Sequence, residues 1–153
     1  MASIHIYTDG AARGNPGKGG YGVVLLSGGH KKEMAAAYRL TTNNRMELLA
    51  VIKSLEALKA GPHDVTIFSD SKYVVDAINL RWIDGWVKKN WKDVKNPDLW
   101  QRLIPLNTRL KPKYVWVKGH ASNPMNNRCD ELATAAADQG PWLTDEAYEA
   151  LTR

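Results

Sequence analysis

The stretch IYTDGAARGNPGKGGYGVV, residues 6–24, joins two apolar runs through a glycine-rich link. Its glycines at 17, 19 and 22 match the G-x-G-x-x-G spacing of dinucleotide-binding loops. That motif needs a helix directly after the glycines, because the helix N-terminus holds the pyrophosphate. Here the glycines lead into a β-rich run, residues 21–26. We therefore predict a β-hairpin with Asn15-Pro16-Gly17 as its turn, and the residue of interest becomes Asp9, which ends the first run.

The composition favours a single domain over residues 1–153, a chain long enough to bury a core. No run of about 18 apolar residues is present, and the N-terminus has no basic start before an apolar segment, so we expect neither a membrane span nor a secretion signal. Cys129 is the only cysteine. It excludes an internal disulfide and a multi-cysteine zinc site, and it fits a reducing cytosol. We expect a cytoplasmic monomer in which Cys129 is a small buried residue.

Positive charge is concentrated in one segment of the chain. Residues 81–118 contain ten lysines or arginines and three acids, a net charge of +7, whereas the rest of the chain has a net charge of −2. This asymmetry suggests a polyanionic partner. By itself it is weak evidence, because most charged surfaces are simply solvated.

The pattern of apolar residues predicts an α/β chain. The first three predicted strands form an antiparallel meander, and right-handed crossovers make strands one, four and five mutually parallel. In such sheets, binding sites lie outside the carboxyl ends of the parallel strands. The predicted strands are residues 3–9, 20–27, 32–39, 65–68 and 114–117; the predicted helices are 42–59 (stopped by Gly61-Pro62), 73–78, segments of 81–110 broken near Asn90 and Asn96, 124–137, and a short one at 144–151.

Polar residues converge on that edge of the sheet. Asp9 ends strand one, Asp70 follows strand four and His120 follows strand five. Two further acids on helices can join them, Glu47 among apolar neighbours and Asp130 beside an apolar stripe. Each acid alone has an ordinary explanation, as a turn cap, a helix N-cap, a partner of the helix dipole or a surface acid.

Several carboxylates at one edge are harder to explain than one. Like charges at short range raise one another's pKa and destabilise the fold unless a cation lies among them. Oxygen ligands without a thiolate suit Mg²⁺ or Mn²⁺ rather than zinc. We therefore expect a magnesium cluster that retains water molecules and engages a phosphate of the substrate.

Five separated motifs occur in the chain: YTDGAARGNPGKGGYG, TTNNRMELLAVIKSLEAL, FSDSKYVVDAI, WVKKNWK with VKNPDLWQRL, and VWVKGHASNPMNNRCDELA. In this order they resemble bacterial type 1 ribonuclease H over essentially the whole chain. The resemblance implies a ribonuclease H-like α/β fold, with a five-stranded mixed sheet in the order 3-2-1-4-5 and helices on both faces. One departure is Ser122-Asn123, where family members often carry a second Gly-His pair, so we expect altered mobility of the His120 loop rather than lost activity.

The resemblance also implies a site and a reaction. The family's four metal-binding carboxylates correspond to Asp9, Glu47, Asp70 and Asp130, and its auxiliary histidine corresponds to His120. The implied activity is endonucleolytic hydrolysis of the RNA strand of RNA–DNA hybrids with two Mg²⁺ ions, which leaves 5′-phosphate and 3′-hydroxyl ends. Asp9 is the expected bridging ligand, and His120 would assist proton transfer or product departure.

Polar residues near the hairpin and the first helix are the candidates for contacts with the hybrid. Backbone groups of residues 10–13, together with asparagine side chains that both donate and accept, suit the 2′-hydroxyls of the RNA strand. The family's phosphate pocket for the DNA strand corresponds to Asn15, Thr42, Arg45 and Lys88. The candidates outside the basic segment are Asn15, Thr42, Asn43, Asn44 and Arg45.

The basic segment resembles the family's basic protrusion, at about residues 81–97. There, tryptophan faces would meet sugars and lysines would meet phosphates, so binding should be largely independent of base sequence. We expect Trp82 to be partly buried and Trp86 to be more exposed, with Trp100 and Trp116 in the core. The candidate binding residues of the protrusion are Trp82, Trp86, Lys88, Lys89, Trp91 and Lys92.

Three other functions fit parts of the pattern. A phosphotransfer receiver or a hydrolase with strand-end aspartates would need one metal and a nucleophilic aspartate, but no basic tryptophan-rich arm. A non-catalytic module that binds hybrids would be expected if one of the four acids were missing. A metal-dependent resolvase or integrase shares the type of sheet, but the NNRME and CDELA pieces favour ribonuclease H.

Overall fold

The strands and helices are taken from a computed structural model, which describes residues 2–59, 62–119 and 123–152. No helix in these three ranges is long and apolar enough to cross a membrane. In chain order the elements are β1 (Ala2–Arg13), β2 (Gly17–Ser27), β3 (His30–Thr41), α1 (Asn43–Glu56), β4 (His63–Ser69), α2 (Lys72–Asn79), α3 (Trp82–Lys88), α4 (Pro97–Leu110), β5 (Lys113–Trp116), α5 (Pro124–Gln139), β6 (Trp142–Leu143) and α6 (Glu146–Leu151).

One mixed sheet organises these elements, with strand order β5-β4-β1-β2-β3-β6. The β1–β2 and β2–β3 pairs are antiparallel, whereas β1–β4 and β4–β5 are parallel. The predicted meander, the parallel strands and the order 3-2-1-4-5 are therefore confirmed. A sixth strand, β6, was not predicted. It adds only two residues, paired with Ala37 and Tyr38 of β3, which is too short to show any periodicity in the sequence.

The glycine-rich stretch is mostly strand rather than link. Residues 10–13 extend β1 and residues 17–20 begin β2, so that only residues 14–16 form the turn of the hairpin. No helix follows the glycines, which excludes the dinucleotide-binding interpretation of their spacing. The strands are longer than predicted because glycine is compatible with an extended backbone even where its strand propensity is low.

The carboxyl edge of the parallel strands opens at Asp9. The β1–β4 pairing ends at Thr8 and Ser69, and β1 then continues to Arg13 paired, among the described residues, with β2 alone. The prediction that Asp9 ends its strand is therefore wrong, because β1 continues to Arg13. Asp9 is instead the first residue of β1 that no longer pairs with β4. Asp70 directly follows Ser69, so the two acids emerge side by side.

Helices cover both faces of the sheet, as predicted. α1 packs on β1 and β2 from one side and α4 packs on α1, while α5 packs on β1, β2 and β3. α1 ends at Glu56, three residues before the predicted end at Lys59, and the predicted stop at Gly61 lies outside the described residues. Cys129 of α5 is fully buried, as expected, and burial raises the pKa of its thiol to about 12.

Candidate active site

Three carboxylates meet at the open edge of the sheet. Side-chain oxygens of Asp9, Glu47 and Asp70 lie within 4.8 Å of one another. They come from β1, from the second turn of α1, and from the turn between β4 and α2. Asp9 and Glu47 are both buried. Three of the acids proposed from the sequence are thus brought together by elements that are far apart in the chain.

Gly10 explains how α1 comes so close to β1. A Cβ atom built on Gly10 would lie 2.4 Å from the backbone nitrogen of Glu47 and 2.5 Å from the carbonyl carbon of Met46. The Gly10 N–H donates to Asp9 Oδ1 at 2.9 Å and to Glu47 Oε1 at 3.0 Å. A glycine directly after the acid therefore lets the helix approach and also binds both carboxylates through its main chain.

Asp70 is held in a tight turn between β4 and α2. Ser69 Oγ accepts from the Ser71 N–H at 3.0 Å, and Ser71 Oγ accepts from the Val74 N–H at 3.2 Å. Ser71 is therefore the N-cap of α2. This finding removes the simplest structural explanation for Asp70, which was that its own side chain caps that helix.

Asp130 approaches the cluster on α5 but is not one of the three grouped residues. Gly22 pairs with Asp9 across β1 and β2, and a Cβ atom at Gly22 would lie only 2.3 Å from the carbonyl oxygen of Cys129. The missing side chain at Gly22 thus lets α5 lie close to the sheet just before Asp130. The half-buried carboxylate of Asp130 is near enough for its charge to raise the pKa of Asp9.

The electrostatics of the cluster are unfavourable for bare carboxylates. Burial, together with the charges of Asp70 and Asp130, raises the pKa of Asp9 to about 7, although hydrogen bonds to Asp9 oppose the shift. Burial and then the charge of Asp9 raise the pKa of Glu47 well above its ordinary value. Glu47 Oε2 is buried and faces no donor among the described residues. An unmatched carboxylate oxygen among other acids fits a divalent cation, which would supply the missing positive charge.

Some predicted hybrid-binding residues already connect the hairpin to α1. Thr42 is the N-cap of α1, and its Oγ1 accepts from the Arg45 N–H at 3.2 Å. Asn15 Oδ1 accepts from the Asn43 N–H at 3.2 Å, and Asn43 Oδ1 accepts from a backbone N–H of β1 at 2.6 Å. Asn15, Thr42 and the exposed Asn44 also line a cavity of about 550 Å³ beside the hairpin turn.

Arg45 occupies a different environment from the one expected of a phosphate ligand. Its side chain is 2% exposed, and its guanidinium donates to both carboxylate oxygens of Asp98 and of Asp145 and to Asn96 Oδ1. In this structure Arg45 links α1 to α4 and to the residue before α6. The sequence analysis missed this network because Asp98 and Asp145 are 53 and 100 positions away along the chain.

The tryptophans of the basic segment are arranged opposite to our expectation. Trp82 is 43% exposed, whereas Trp86 is partly buried, with its ring 5.3 Å from that of the fully buried Trp100 and 6.5 Å from that of Trp91. Ile83 and Trp86 are three residues apart in α3 and therefore face the core together, which turns Trp82 outward. The lysines at 88, 89 and 92 are exposed, as predicted.

Two further predictions concern the end of β5 and the loop after it. Trp116 was expected in the core and is instead 42% exposed, because β5 is the edge strand and pairs only with β4 among the described residues. His120, the predicted auxiliary histidine, lies outside the described residues. Gly119, the residue before it, is described.

A family profile, curated relatives and solved structures that resemble this chain are all ribonucleases H. The RNase H family profile matches residues 1–138. Ribonuclease H of Syntrophus aciditrophicus (strain SB) is 54% identical over 150 residues, which cover 95% of this chain and 86% of that protein. The crystal structure of LC9-RNase H1, a type 1 RNase H with the type 2 active-site motif, has a TM-score of 0.80 at 29% identity and covers 99% of this chain and 81% of its own.

A second solved structure is that of LC11-RNase H1 in complex with an RNA/DNA hybrid. It has a TM-score of 0.65 at 29% identity, with coverage of 89% of this chain and 97% of its own. The match thus extends from the sequence profile to relatives of similar length and to the fold that carries the carboxylate cluster. The chain belongs to the ribonuclease H family, and it is a metal-dependent nuclease of the hydrolase class.

Proposed function

We propose that this protein hydrolyses the RNA strand of RNA–DNA hybrids, with Mg²⁺ ions bound by Asp9, Glu47 and Asp70 and with Asp130 completing the site. The observation that carries the proposal is the cluster of three carboxylates within 4.8 Å, in which Glu47 Oε2 faces no donor among the described residues. Oxygen-only ligands favour Mg²⁺, with Mn²⁺ as an ion of the same class.

The metal ions would supply the chemistry that no side chain of the cluster can supply: when bound, a pair of Mg²⁺ ions lowers the pKa of the attacking water and neutralises the charge on the leaving 3′ oxygen. The products would carry 5′-phosphate and 3′-hydroxyl ends. Asp9 would be one of the residues that hold the ions, because the pairing of β1 with β2 fixes the main chain at this position.

The other acids have distinct roles in this proposal. Glu47 is fixed by the Gly10 N–H, so one of its oxygens is oriented while the other remains available to an ion. Asp130 approaches on α5 and adds negative charge without joining the tightest group. His120, which follows β5 in the sequence, would carry a proton to or from the reacting oxygens or assist the departure of the product.

Substrate binding rests on two surfaces in this proposal. The RNA strand would be recognised through its 2′-hydroxyls by backbone groups of residues 10–13 and by Asn15, Asn43 and Asn44. The cavity beside the hairpin, lined by Asn15, Thr42 and Asn44, would take a phosphate of the DNA strand. LC11-RNase H1, a relative in fold, was solved with an RNA/DNA hybrid, which supports the same substrate for this chain.

The exposed lysines at 88, 89 and 92 would extend the contact along the DNA backbone, with the outward face of Trp82 against a sugar. Trp86 and Trp91 would support this surface from the partly buried side. Contacts of this type carry no base information, so cleavage should be largely independent of sequence.

The proposal is tested with end-labelled RNA–DNA hybrid, duplex RNA and duplex DNA, each incubated with Mg²⁺ or with EDTA. We expect cleavage of the RNA strand of the hybrid only, with Mg²⁺ only, and fragments that carry a 3′-hydroxyl. Asp9→Asn should abolish cleavage and leave hybrid binding largely intact. Cleavage of all three duplexes, cleavage in EDTA, or an active Asp9→Asn variant would each contradict it.

A further inference from the structure

Trp116 contacts the main chain of one of the clustered acids from behind. It is the last residue of β5, and its register partner on β4 is Ser69, the residue before Asp70. The indole Nε1 donates to the carbonyl oxygen of Asp70 at 3.1 Å. Lys72 Nζ lies 4.8 Å from the centroid of the indole ring on the solvent side. One tryptophan therefore connects the edge strand to the turn that carries Asp70.

The surroundings of Trp116 do not explain it as a core residue. It is 42% exposed, so it is not enclosed in the core, and the polar N–H of its ring is used on Asp70. The residues after Trp116 also lie close to Asp70 and to the residue before it. The Val117 N–H donates to the Ser69 carbonyl at 2.9 Å, and a Cβ atom on Gly119 would lie 2.8 Å from Asp70 Oδ2. Residues 116–119 thus hold the main chain at Asp70 and leave room for its carboxylate.

We propose that Trp116 is a positioning residue, which holds the Asp70 carboxylate in the cluster through its hydrogen bond to the Asp70 carbonyl and thereby increases the affinity for Mg²⁺. The inference rests on the proposed function, since it requires the cluster to bind the ion. Groups that orient metal ligands from behind typically change metal affinity or activity by about 10–100-fold when they are removed. The ammonium of Lys72 over the ring restricts the indole to this orientation.

The chain contains a matched control at the opposite edge of the sheet. Trp142 of β6 is 37% exposed, its Nε1 donates to the Ala137 carbonyl at 2.9 Å, and Lys18 Nζ lies 4.1 Å from its ring centroid. Trp116→Phe and Trp142→Phe therefore make the same change, since each replaces an indole by a phenyl ring and removes one N–H···O=C bond, while an aromatic face remains beside the lysine. Only the first change affects the turn that carries Asp70.

The experiment measures the Mg²⁺-induced rise in melting temperature of the substrate-free protein and the Mg²⁺ concentration that half-saturates cleavage. We expect Trp116→Phe to require about 10-fold more Mg²⁺ in both measurements, while Trp142→Phe follows the unchanged protein. Excess Mg²⁺ should restore cleavage by Trp116→Phe. Gly119→Ala, which displaces the Asp70 carboxylate without touching the indole, should also raise the Mg²⁺ requirement.

Equal Mg²⁺ requirements of Trp116→Phe and Trp142→Phe would overturn the inference and leave the proposed function intact. The inference would also be overturned if Trp116→Phe melts at a lower temperature without Mg²⁺ but needs no more Mg²⁺ than the unchanged protein. That result would show that Trp116 only stabilises the fold. If the unchanged protein shows neither a Mg²⁺-induced rise nor cleavage, the proposed function fails and the inference falls with it.

Discussion

The side chain of Asp9 lies one residue beyond the point where β4 stops pairing with β1, and its position determines its chemistry. Its carboxylate is buried and accepts only the Gly10 N–H among the backbone donors described, while Asp70 and Asp130 add negative charge. The folded protein therefore binds a proton at Asp9 more tightly than the unfolded chain does. Until a cation is bound, this residue destabilises the fold at neutral pH.

The sign of the resulting pH dependence follows from linkage. Because the folded pKa of about 7 exceeds the ordinary value of 3.8, the stability contributed by Asp9 is fully present below about pH 4 and is lost as the pH rises through 7. We expect the melting temperature in EDTA to fall between pH 5 and pH 8. The melting temperature of Asp9→Asn should fall less, because asparagine does not ionise, while its amide oxygen still accepts from the Gly10 N–H. This rise in the pKa of Asp9 corresponds to roughly 4 kcal/mol of unfolding free energy. The value is an upper limit for Asp9, because Glu47 titrates together with it and the shift belongs to both carboxyls. Parallel melting curves for both proteins across this range would contradict the electrostatic account.

At the scale of elements, the site depends on how closely two helices approach the sheet. Gly10 admits α1 and Gly22 admits α5, and in each case the carbonyl or amide of the helix occupies the space of a missing Cβ. These contacts determine where Glu47 and Asp130 lie relative to Asp9. Gly10 and Gly22 therefore bring the carboxylates close to one another and do not form a nucleotide-binding loop.

Gly22→Ala tests this account of α5. The added methyl would force the helix away from β2, with a cost of about 1–3 kcal/mol for overpacking, and would move Asp130 away from Asp9. We expect a lower midpoint of urea unfolding and a higher Mg²⁺ requirement for cleavage. Gly85→Ala in α3 is the control, because a Cβ there has no atom within 4 Å. Equal effects of the two substitutions would show that close approach at Gly22 is unimportant.

The ion pairs of Arg45 connect α1 to α4 and to the start of α6. Arg45 is buried between Asp98 and Asp145, so Arg45→Met would leave the nearly buried Asp145 carboxylate without its cation. We expect a loss of about 3–5 kcal/mol in the free energy of unfolding, measured by urea titration. The control is Arg102→Met, whose bidentate pair with Glu56 is 40% and 33% exposed and should contribute at most about 1 kcal/mol. A loss of the same small size at Arg45 would place it among ordinary surface pairs.

At the scale of the whole molecule, positive charge is concentrated in one segment of the chain, which suits that segment to a polyanion. The segment 81–118 carries a net charge of +7, while the remainder carries −2. Phosphate contacts release counterions from the nucleic acid, so affinity that depends on such contacts falls steeply with salt. The exposed lysines of the protrusion are the part of this segment expected to contact the DNA strand.

A paired substitution measures that contribution. Lys88→Ala with Lys89→Ala should raise the Michaelis constant for the hybrid and reduce the slope of log affinity against log salt by about 1 per lysine, with little change in kcat. The control is Lys31→Ala with Lys32→Ala, two exposed lysines on β3 outside the basic segment, which removes the same charge. An identical salt slope in both double variants would mean that net charge alone, and not the protrusion, attracts the hybrid.

Much of this protein could be predicted from local patterns. The order of strands and helices follows from periodicity over a few residues, and the parallel arrangement follows from the handedness of crossovers. The proximity of Asp9 and Asp70 then follows, because carboxyl ends of parallel strands meet at one edge, whereas Glu47 joins them only through the close approach of α1 at Gly10. These features depend on the chain's own sequence of apolar and polar residues, and distant contacts do not alter them.

Other features were decided only by the tertiary structure. Arg45 is enclosed by Asp98 and Asp145 from distant elements, Trp86 rather than Trp82 packs against Trp100, and Trp116 is left exposed on an edge strand. Whether a residue at the boundary of the core is covered depends on which other element packs over it, and local periodicity carries no information about that partner. The same reason explains why the close approaches at the hairpin glycines, which place the carboxylates, were not recognised from their spacing.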